Sequence, residues 1–248
     1  MIIRSYRIAD TVFSVDSIHN EVHELCRDYQ CNEPAEFTIT INQQDIEYER
    51  ERSIKTNIKE GNPVKNYSDS YLETLAVYRK LCEILIDRDI LLFHGSVIAV
   101  DGIAFLFTAK SGTGKSTHTR LWREYFGERA VMINDDKPLL KITDSGVTVY
   151  GTPYDGKHRI STNTSAPLKA ICWLNRGETN SIKEISKSEA YPILMQQTHR
   201  PAGAENMEKL FELLDQMCVS VKMYKLYCNK NPDAVLTSYQ KMNKECQI

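Results

Sequence analysis

The chain has 248 residues, enough for one large domain or two small ones with a sizeable apolar core. Its 42% hydrophobic and 26% charged residues are those of an ordinary globular protein, and its formal net charge is −2. This balance gives no reason to expect binding to nucleic acid or to an anionic membrane. The sequence has neither a run of about 18 apolar residues nor a charged-then-apolar leader, so we expect a cytoplasmic protein without a membrane span.

The seven cysteines are scattered and odd in number, which in a chain without a secretion signal indicates reduced thiols. Cys26 and Cys31 are the one close pair, but their spacing is not that of a C-x-x-C redox or zinc site. We therefore expect ordinary buried or surface thiols and no metal bound by cysteine.

Short alternating stretches are typical of the first part of the chain. Residues 1–15 predict one or two strands, and residues 36–41 predict another. Residues 43–66 are polar and charged, and they predict a strand or two followed by a loop. We expect residues 1–89 to form a β-rich N-terminal lobe with a linking helix, or an extension of the sheet that follows.

The linking helix is predicted before Asp89, because apolar residues recur near the helical period from Leu72 to Ile86. Ser70 and Glu73 have the spacing of a capping box at its start.

The strongest local signal is a hairpin. Residues 96–100 and 103–107 are apolar runs joined by Asp101-Gly102, a pair that favours a type I′ turn. The second run leads directly into a glycine-rich stretch, and a short helix is expected after Lys115, ended by Gly127.

The rest of the chain alternates between predicted strands and helices. In chain order these are a strand at 130–133, a hairpin of 138–142 with 147–150, a strand at 168–174, helices at 188–199 and 205–218, a strand at 219–227 and a helix at 233–244. Strands interleaved with helices predict an α/β core over residues 90–248.

Residues 109–116 read Ala-Lys-Ser-Gly-Thr-Gly-Lys-Ser and match the P-loop pattern G-x-x-x-x-G-K-[ST], except that Ala109 replaces the first glycine. Backbone N–H groups in such a loop and the N-terminus of the next helix attract phosphate. The lysine would reach the β- and γ-phosphates, and the serine hydroxyl would bind Mg²⁺. The residues expected to bind the nucleotide are Ser111, Gly112, Thr113, Gly114, Lys115, Ser116 and Thr117.

Asp135 and Asp136 directly follow an apolar strand, where an open α/β sheet places its ligand groups. One carboxylate could hold Mg²⁺ and the other could accept a proton from an attacking hydroxyl, although two adjacent acids also suit a solvated turn. His94 precedes the hairpin and is a candidate for orienting an aspartate or a metal-bound water.

A shaped loop with two glycines and a proline spans residues 151–156, and three basic residues follow it. Lys157, His158 and Arg159 could neutralise a transferring phosphate or hold an acidic substrate. The alternative is a surface turn with solvated charges.

His94-Gly95, the Asp101-Gly102 turn, residues 111–116 and the pair Asp135-Asp136 resemble, in order and spacing, the catalytic domain of HPr kinase/phosphorylase. They are also similar to the nucleotide site of phosphoenolpyruvate carboxykinases, which belong to the same superfamily. The resemblance covers residues 90–160 by motif. More loosely, the succession of elements up to the C-terminus looks like that of stand-alone bacterial HPr-kinase-like kinases, some of which phosphorylate a serine of a precursor peptide.

The resemblance implies a kinase that uses ATP and Mg²⁺ and a protein or peptide partner whose serine or threonine hydroxyl is phosphorylated. By position, Asp135 would be the catalytic base, assisted by His94 and Lys115, and Ser116 and Asp136 would be the metal ligands. HPr kinases are oligomers, but their assembly need not carry over.

The sequence departs from the family in two places. Ala109 replaces the first P-loop glycine, and residues 151–159 stand where HPr kinases have their signature loop. The carboxykinase substrate segments are also missing, which argues against oxaloacetate decarboxylation. A kinase for a small-molecule hydroxyl and a non-catalytic nucleotide-binding regulator remain as alternatives.

Overall fold

The computed structural model describes residues 2–59, 61–156 and 158–244. The chain divides into two units, Met1–Ile84 and Leu85–Ile248. The boundary expected from the sequence was placed after Asp89, a few residues further along. Within the described residues, no helix is both long enough and apolar enough to cross a membrane.

The first unit contains a three-stranded sheet. Strand β1 (Ile2–Ile8) pairs antiparallel with β2 (Thr11–Ser17), and β2 pairs parallel with β3 (Phe37–Thr40). All three strands were predicted. The turn between β1 and β2 uses positive φ angles at Ala9 (50°) and Asp10 (60°), which is the conformation of a tight antiparallel connection.

More of the described residues in this unit lie in helices than in strands, so the prediction of a β-rich lobe is wrong. A short helix α1 (Glu21–Leu25) precedes α2 (Gln43–Lys59) and α3 (Asp69–Leu85), each of 17 residues, against strands of 7, 7 and 4 residues.

Helix α2 occupies the stretch for which strands and a loop were expected. Its surface is stabilised by ion pairs one turn apart, Glu47 with Arg50 and Glu51 with Lys55, while Ile46 is fully buried. The helical signal of this segment therefore lies in the spacing of its charges, and the low hydrophobicity of the segment concealed it.

The predicted capping box at the start of α3 is also wrong. Oγ of Ser68, rather than that of Ser70, accepts the N–H three residues ahead at 3.3 Å. The Glu73 carboxylate is fully buried and instead accepts the backbone N–H groups of Ile18 (2.6 Å) and His19 (2.8 Å). Glu73 thus anchors the chain after β2 to α3, because a buried carboxylate requires donors.

The second unit is a mixed α/β structure, so the predicted α/β class is confirmed. Its strands are β4 (Ile90–Leu92), β5 (Ser96–Val100), β6 (Ile103–Thr108), β7 (Ala130–Asn134), β8 (Leu139–Thr143), β9 (Gly146–Tyr150), β10 (Ser165–Arg176), β11 (Ser181–Glu184) and β12 (Lys222–Cys228). Its helices are α4 (Lys115–Phe126), α5 (Lys187–Gln197), α6 (Ala204–Ser220) and α7 (Asp233–Met242).

Strand β6 lies inside the sheet, with β10 on one side and β5 on the other. Strands β6, β10 and β12 run parallel, whereas β5 runs antiparallel to both β6 and β7. The carboxyl ends of β6, β7, β10 and β12 therefore lie at the same edge of the sheet. The first residues of β10 also pair with β9, which continues through β8 to β4.

Both faces of this sheet are buried, as expected for strands that read as continuous apolar runs. Ile98 and Phe105 pack with Trp122 of α4 and Val235 of α7. Alternate residues of the same strands face the other way and pack with α5 and α6. The predicted hairpin of β5 and β6 is confirmed, with φ angles of 51° at Asp101 and 80° at Gly102.

Candidate active site

The loop between β6 and α4, residues 109–114, is called here the glycine loop. Gly112 (φ 72°) and Gly114 (φ 126°) adopt left-handed conformations that L side chains rarely take. Ala109 is fully buried and is not among the residues with positive φ, so alanine fits the position where glycine was expected. Helix α4 follows, and among the described residues no side chain caps its N-terminus, so its first N–H groups have no side-chain acceptor.

Three side chains that the sequence singled out meet beside this loop. Nε2 of His94 lies 3.2 Å from Nζ of Lys115. Nε2 of His94 also lies 3.4 Å from Oδ1 of Asp136. Burial lowers the pKa of the Lys115 ammonium, although the charges of Asp136 and Asp135 oppose the shift. Burial by itself would raise the pKa of Asp136, but the hydrogen bond from His94 and nearby positive charges leave it below its usual value. One imidazole therefore lies between a lysine and a carboxylate that stays ionised.

Asp135 is held on the other side of the same strand end and is 3% exposed. Its Oδ1 accepts a hydrogen bond of 2.7 Å from Oγ of Ser96, which lies 3.0 Å from Oγ1 of Thr119 in α4. Its Oδ2 is buried and has no hydrogen-bond partner among the described residues. One oxygen is thus fixed, and the other is left for a proton or a cation.

The backbone of the acidic pair is shaped by Asn134, which is fully buried at the end of β7. Its Oδ1 accepts the N–H groups of Asp136 (2.9 Å) and Lys137 (2.7 Å). Its Nδ2 donates to the carbonyl of Thr152 at 3.1 Å. This side chain turns the strand end so that both aspartates are presented at the edge of the sheet.

The position of His94 is fixed through its backbone. Its N–H donates to the carbonyl of Gln197 at 2.7 Å, and its carbonyl accepts the hydroxyl of Thr108 at 2.8 Å. Thr108 ends β6 and Gln197 ends α5, so two elements position the imidazole.

The basic segment is only partly placed. Gly156 lies against Asp135, since a Cβ there would be 3.2 Å from Oδ2 of Asp135. Lys157 lies outside the described residues. His158 and Arg159 are exposed, and within the described part of the chain neither makes a hydrogen bond or ion pair with the two aspartates. Their expected role in holding phosphate or substrate stays a prediction.

The structure brings Lys115, His94, Asp135 and Asp136 to one edge of the sheet, with Ser116 and Thr117 half-buried in the first turn of α4. Ser111 and Gly112 are exposed, and Thr113 and Gly114 are half-buried. Sequence reasoning missed the buried polar residues that support the site. These are Ser96, Thr108, Thr119, Asn134, Thr152 and Gln197. Ser96, Thr108 and Asn134 each adjoin a motif and Thr152 lies within the loop of residues 151–156, whereas Gln197 lies near no motif.

Three or more His, Cys, Asp or Glu side chains do not cluster as a metal site anywhere in the described residues. This result does not bear against Mg²⁺, which takes one or two carboxylates and completes its shell with hydroxyl, water and phosphate oxygens.

No protein-family model matches the chain, and a search of curated proteins gave no match. Among solved structures the chain is similar to the HPr(Ser) kinase/phosphatase from Coxiella burnetii, with 12% sequence identity and a TM-score of 0.34. The match covers 62% of this chain and 99% of that one. At this identity and TM-score, the likeness does not define the activity of the chain.

Proposed function

We propose that the protein is an ATP- and Mg²⁺-dependent kinase that transfers the γ-phosphate to a serine or threonine hydroxyl of a protein or peptide. The observation that carries this proposal is the meeting, at one sheet edge, of Lys115, His94 and Asp136, with Asp135 beside them at the end of β7. The ammonium group of Lys115, directly after a glycine loop, is suited to binding phosphate. The carboxylates of Asp135 and Asp136 have different hydrogen-bond partners, which suits one of them to act as a metal ligand and the other as a base.

The glycine loop would act as the P-loop of this enzyme. Its left-handed glycines allow the backbone to wrap a phosphate group, and the uncapped start of α4 adds positive potential. Lys115 would contact the β- and γ-phosphates and offset the negative charge that develops during transfer.

The available groups fit Mg²⁺. Asp136 stays ionised beside Lys115, and the hydroxyl of Ser116 lies in the first turn of α4, directly after the glycine loop. Ser116 and Asp136 would hold the ion. When bound, Mg²⁺ would neutralise phosphate charge and align the phosphates.

Asp135 is proposed as the catalytic base. Its unpartnered Oδ2 would accept the proton of the substrate hydroxyl, while Ser96 keeps the carboxylate oriented through Oδ1. The hydroxyl oxygen forms a bond to the γ-phosphorus as the bond from that phosphorus to the bridging oxygen breaks, and ADP leaves with the electron pair. His94, which contacts both side chains, would hold the Asp136 carboxylate and the Lys115 ammonium in position.

A protein or peptide acceptor is proposed from the resemblance of residues 90–160 to HPr-kinase-like enzymes. The distinguishing experiment incubates the purified protein with Mg²⁺, γ-labelled ATP and a lysate of its own organism. Asp135→Asn is the test variant, and Asp144→Asn, an exposed aspartate in the turn between β8 and β9, is the matched control.

Label in a discrete protein or peptide with wild type and Asp144→Asn, but not with Asp135→Asn, would support the proposal. ATP binding without label transfer to any macromolecule would refute the peptide acceptor. Equal labelling by Asp135→Asn would remove Asp135 as the base.

A further inference from the structure

A cleft of about 500 Å³ opens beside the glycine loop and is not used by the groups described so far. Part of its wall is the loop itself, at Gly112, Thr113 and Gly114. The rest comes from the first turns of α4, from the carboxyl ends of β10 and β12 and from the residues just after them. The residues of that part that bear on a ligand are His118, Leu121, Leu174, Arg176 and Cys228.

The order of the strands places this cleft opposite the acidic pair. The glycine loop follows β6, Asp135 follows β7 on the β5 side of the sheet, and the cleft lies at the carboxyl ends of β10 and β12 on the other side. A nucleotide whose terminal phosphate faces Asp135 must extend its remaining part away from β7. That direction leads from the loop into the cleft.

The chemistry of the lining suits a ring system with a few acceptors. Leu121 and Leu174 are nearly fully buried apolar walls, and His118 is only 3% exposed. Nε1 of Trp122 lies within hydrogen-bond distance of both Nε2 of His118 (3.1 Å) and Oγ of Ser238 (3.2 Å), and those two atoms lie 3.2 Å apart. Nδ1 of His118 is buried and has no hydrogen-bond partner among the described residues. Apolar walls with a small number of oriented polar groups are typical of sites for small organic ligands.

The cleft is also mechanically joined to the phosphate-binding loop. Nη2 of Arg176 donates to the carbonyl of Gly112 at 2.8 Å, and both residues line the cleft. The loop and the strand ends therefore form one continuous wall.

We propose that this cleft binds the nucleoside half of the nucleotide, with the base between Leu121 and Leu174. This inference rests on the proposed nucleotide-binding function and deepens it, because it assigns affinity to the base and ribose rather than to the phosphates alone.

The test compares Mg·ATP with Mg·tripolyphosphate, which carries the phosphates but no nucleoside. Cys228→Trp fills the cleft from a half-buried position. Tyr227→Trp is the matched control, because Tyr227 is 43% exposed, does not line the cleft and precedes Cys228 on the alternate face of β12. Calorimetric titration gives both affinities, and thermal unfolding verifies that each variant is folded.

Wild type and Tyr227→Trp should bind Mg·ATP more tightly than Mg·tripolyphosphate by about tenfold or more. Cys228→Trp should lose this advantage while its affinity for Mg·tripolyphosphate stays unchanged. The inference would be overturned if wild type bound both ligands equally, or if a folded Cys228→Trp variant bound Mg·ATP as tightly as wild type does. Either result would still be compatible with the proposed phosphate site. Wild type binding neither ligand would contradict the proposed function as well.

A second measurement needs no variant. Alkylation of Cys228 in the wild-type chain, followed by peptide mass spectrometry, should be slowed by Mg·ATP but not by Mg·tripolyphosphate. Equal rates with the two ligands would place the nucleoside outside the cleft.

Discussion

The hydrogen bond between Ser96 and Asp135 allows the proposed base to be tested through a residue that would not touch the substrate. Ser96 is fully buried and donates at 2.7 Å to Oδ1 of a carboxylate that is itself 3% exposed. A hydrogen bond to a buried charged group contributes about 1.5–3 kcal/mol, so Ser96→Ala should lower the free energy of unfolding by about 2 kcal/mol. Transfer should slow by about tenfold to a hundredfold, with unchanged affinity for ATP, because only the orientation of the base is lost.

The stability part can be measured by urea unfolding followed by tryptophan fluorescence. Both tryptophans, Trp122 and Trp173, lie in the unit Leu85–Ile248, so the signal reports on the unit that contains the site. A double-mutant cycle of Ser96→Ala with Asp135→Ala isolates the pair, and we expect a coupling of about 1.5–3 kcal/mol. Thr119→Val is the control, since it leaves the bond from Ser96 to Asp135 in place. A coupling below about 0.5 kcal/mol would refute the reasoning.

Two further predictions concern neighbouring groups. Burial lowers the pKa of His118 from 6.5 to about 4, so the unfolded chain binds a proton in this range that the native chain does not. The free energy of unfolding should therefore fall by about 3 kcal/mol as the pH drops from 6.5 to about 4, and His118→Gln should flatten the plot of urea midpoint against pH. An equally steep plot for the variant would contradict this. Gly156→Ala would place a Cβ 3.2 Å from Oδ2 of Asp135, and it should slow transfer by about tenfold without weakening ATP binding. An unchanged rate of transfer would show that the close contact between residue 156 and Asp135 does not affect the reaction.

The parts of the fold that were predictable are those specified by neighbouring residues. Asp101-Gly102 between apolar runs predicted the β5–β6 hairpin, and the glycine loop predicted the start of α4. Helix α2 was missed because its pattern lies in charges rather than in apolar residues. Strands β4 and β11 were missed because they have three and four residues and are defined by pairing with distant β8 and β12.

The same distinction applies to the site. Lys115 and the two aspartates were predicted because each belongs to a short motif. The contacts that hold them could not be predicted. Ser96 contacts Asp135 only because β5, which begins at Ser96, lies beside β7, which ends just before Asp135. Gln197 reaches His94 from the end of α5, and a single sequence contains no signal for that contact.

The central claim is that the glycine loop binds the phosphates of ATP with Lys115. Equilibrium binding of Mg·ATP to wild type, Lys115→Met and Lys110→Met tests it most directly, because Lys110 is an exposed lysine of the same loop. The account predicts that wild type binds, that Lys110→Met binds within about twofold of wild type, and that Lys115→Met binds about tenfold or more weakly. Absence of binding by wild type, or equal affinity of Lys115→Met and wild type, would contradict it.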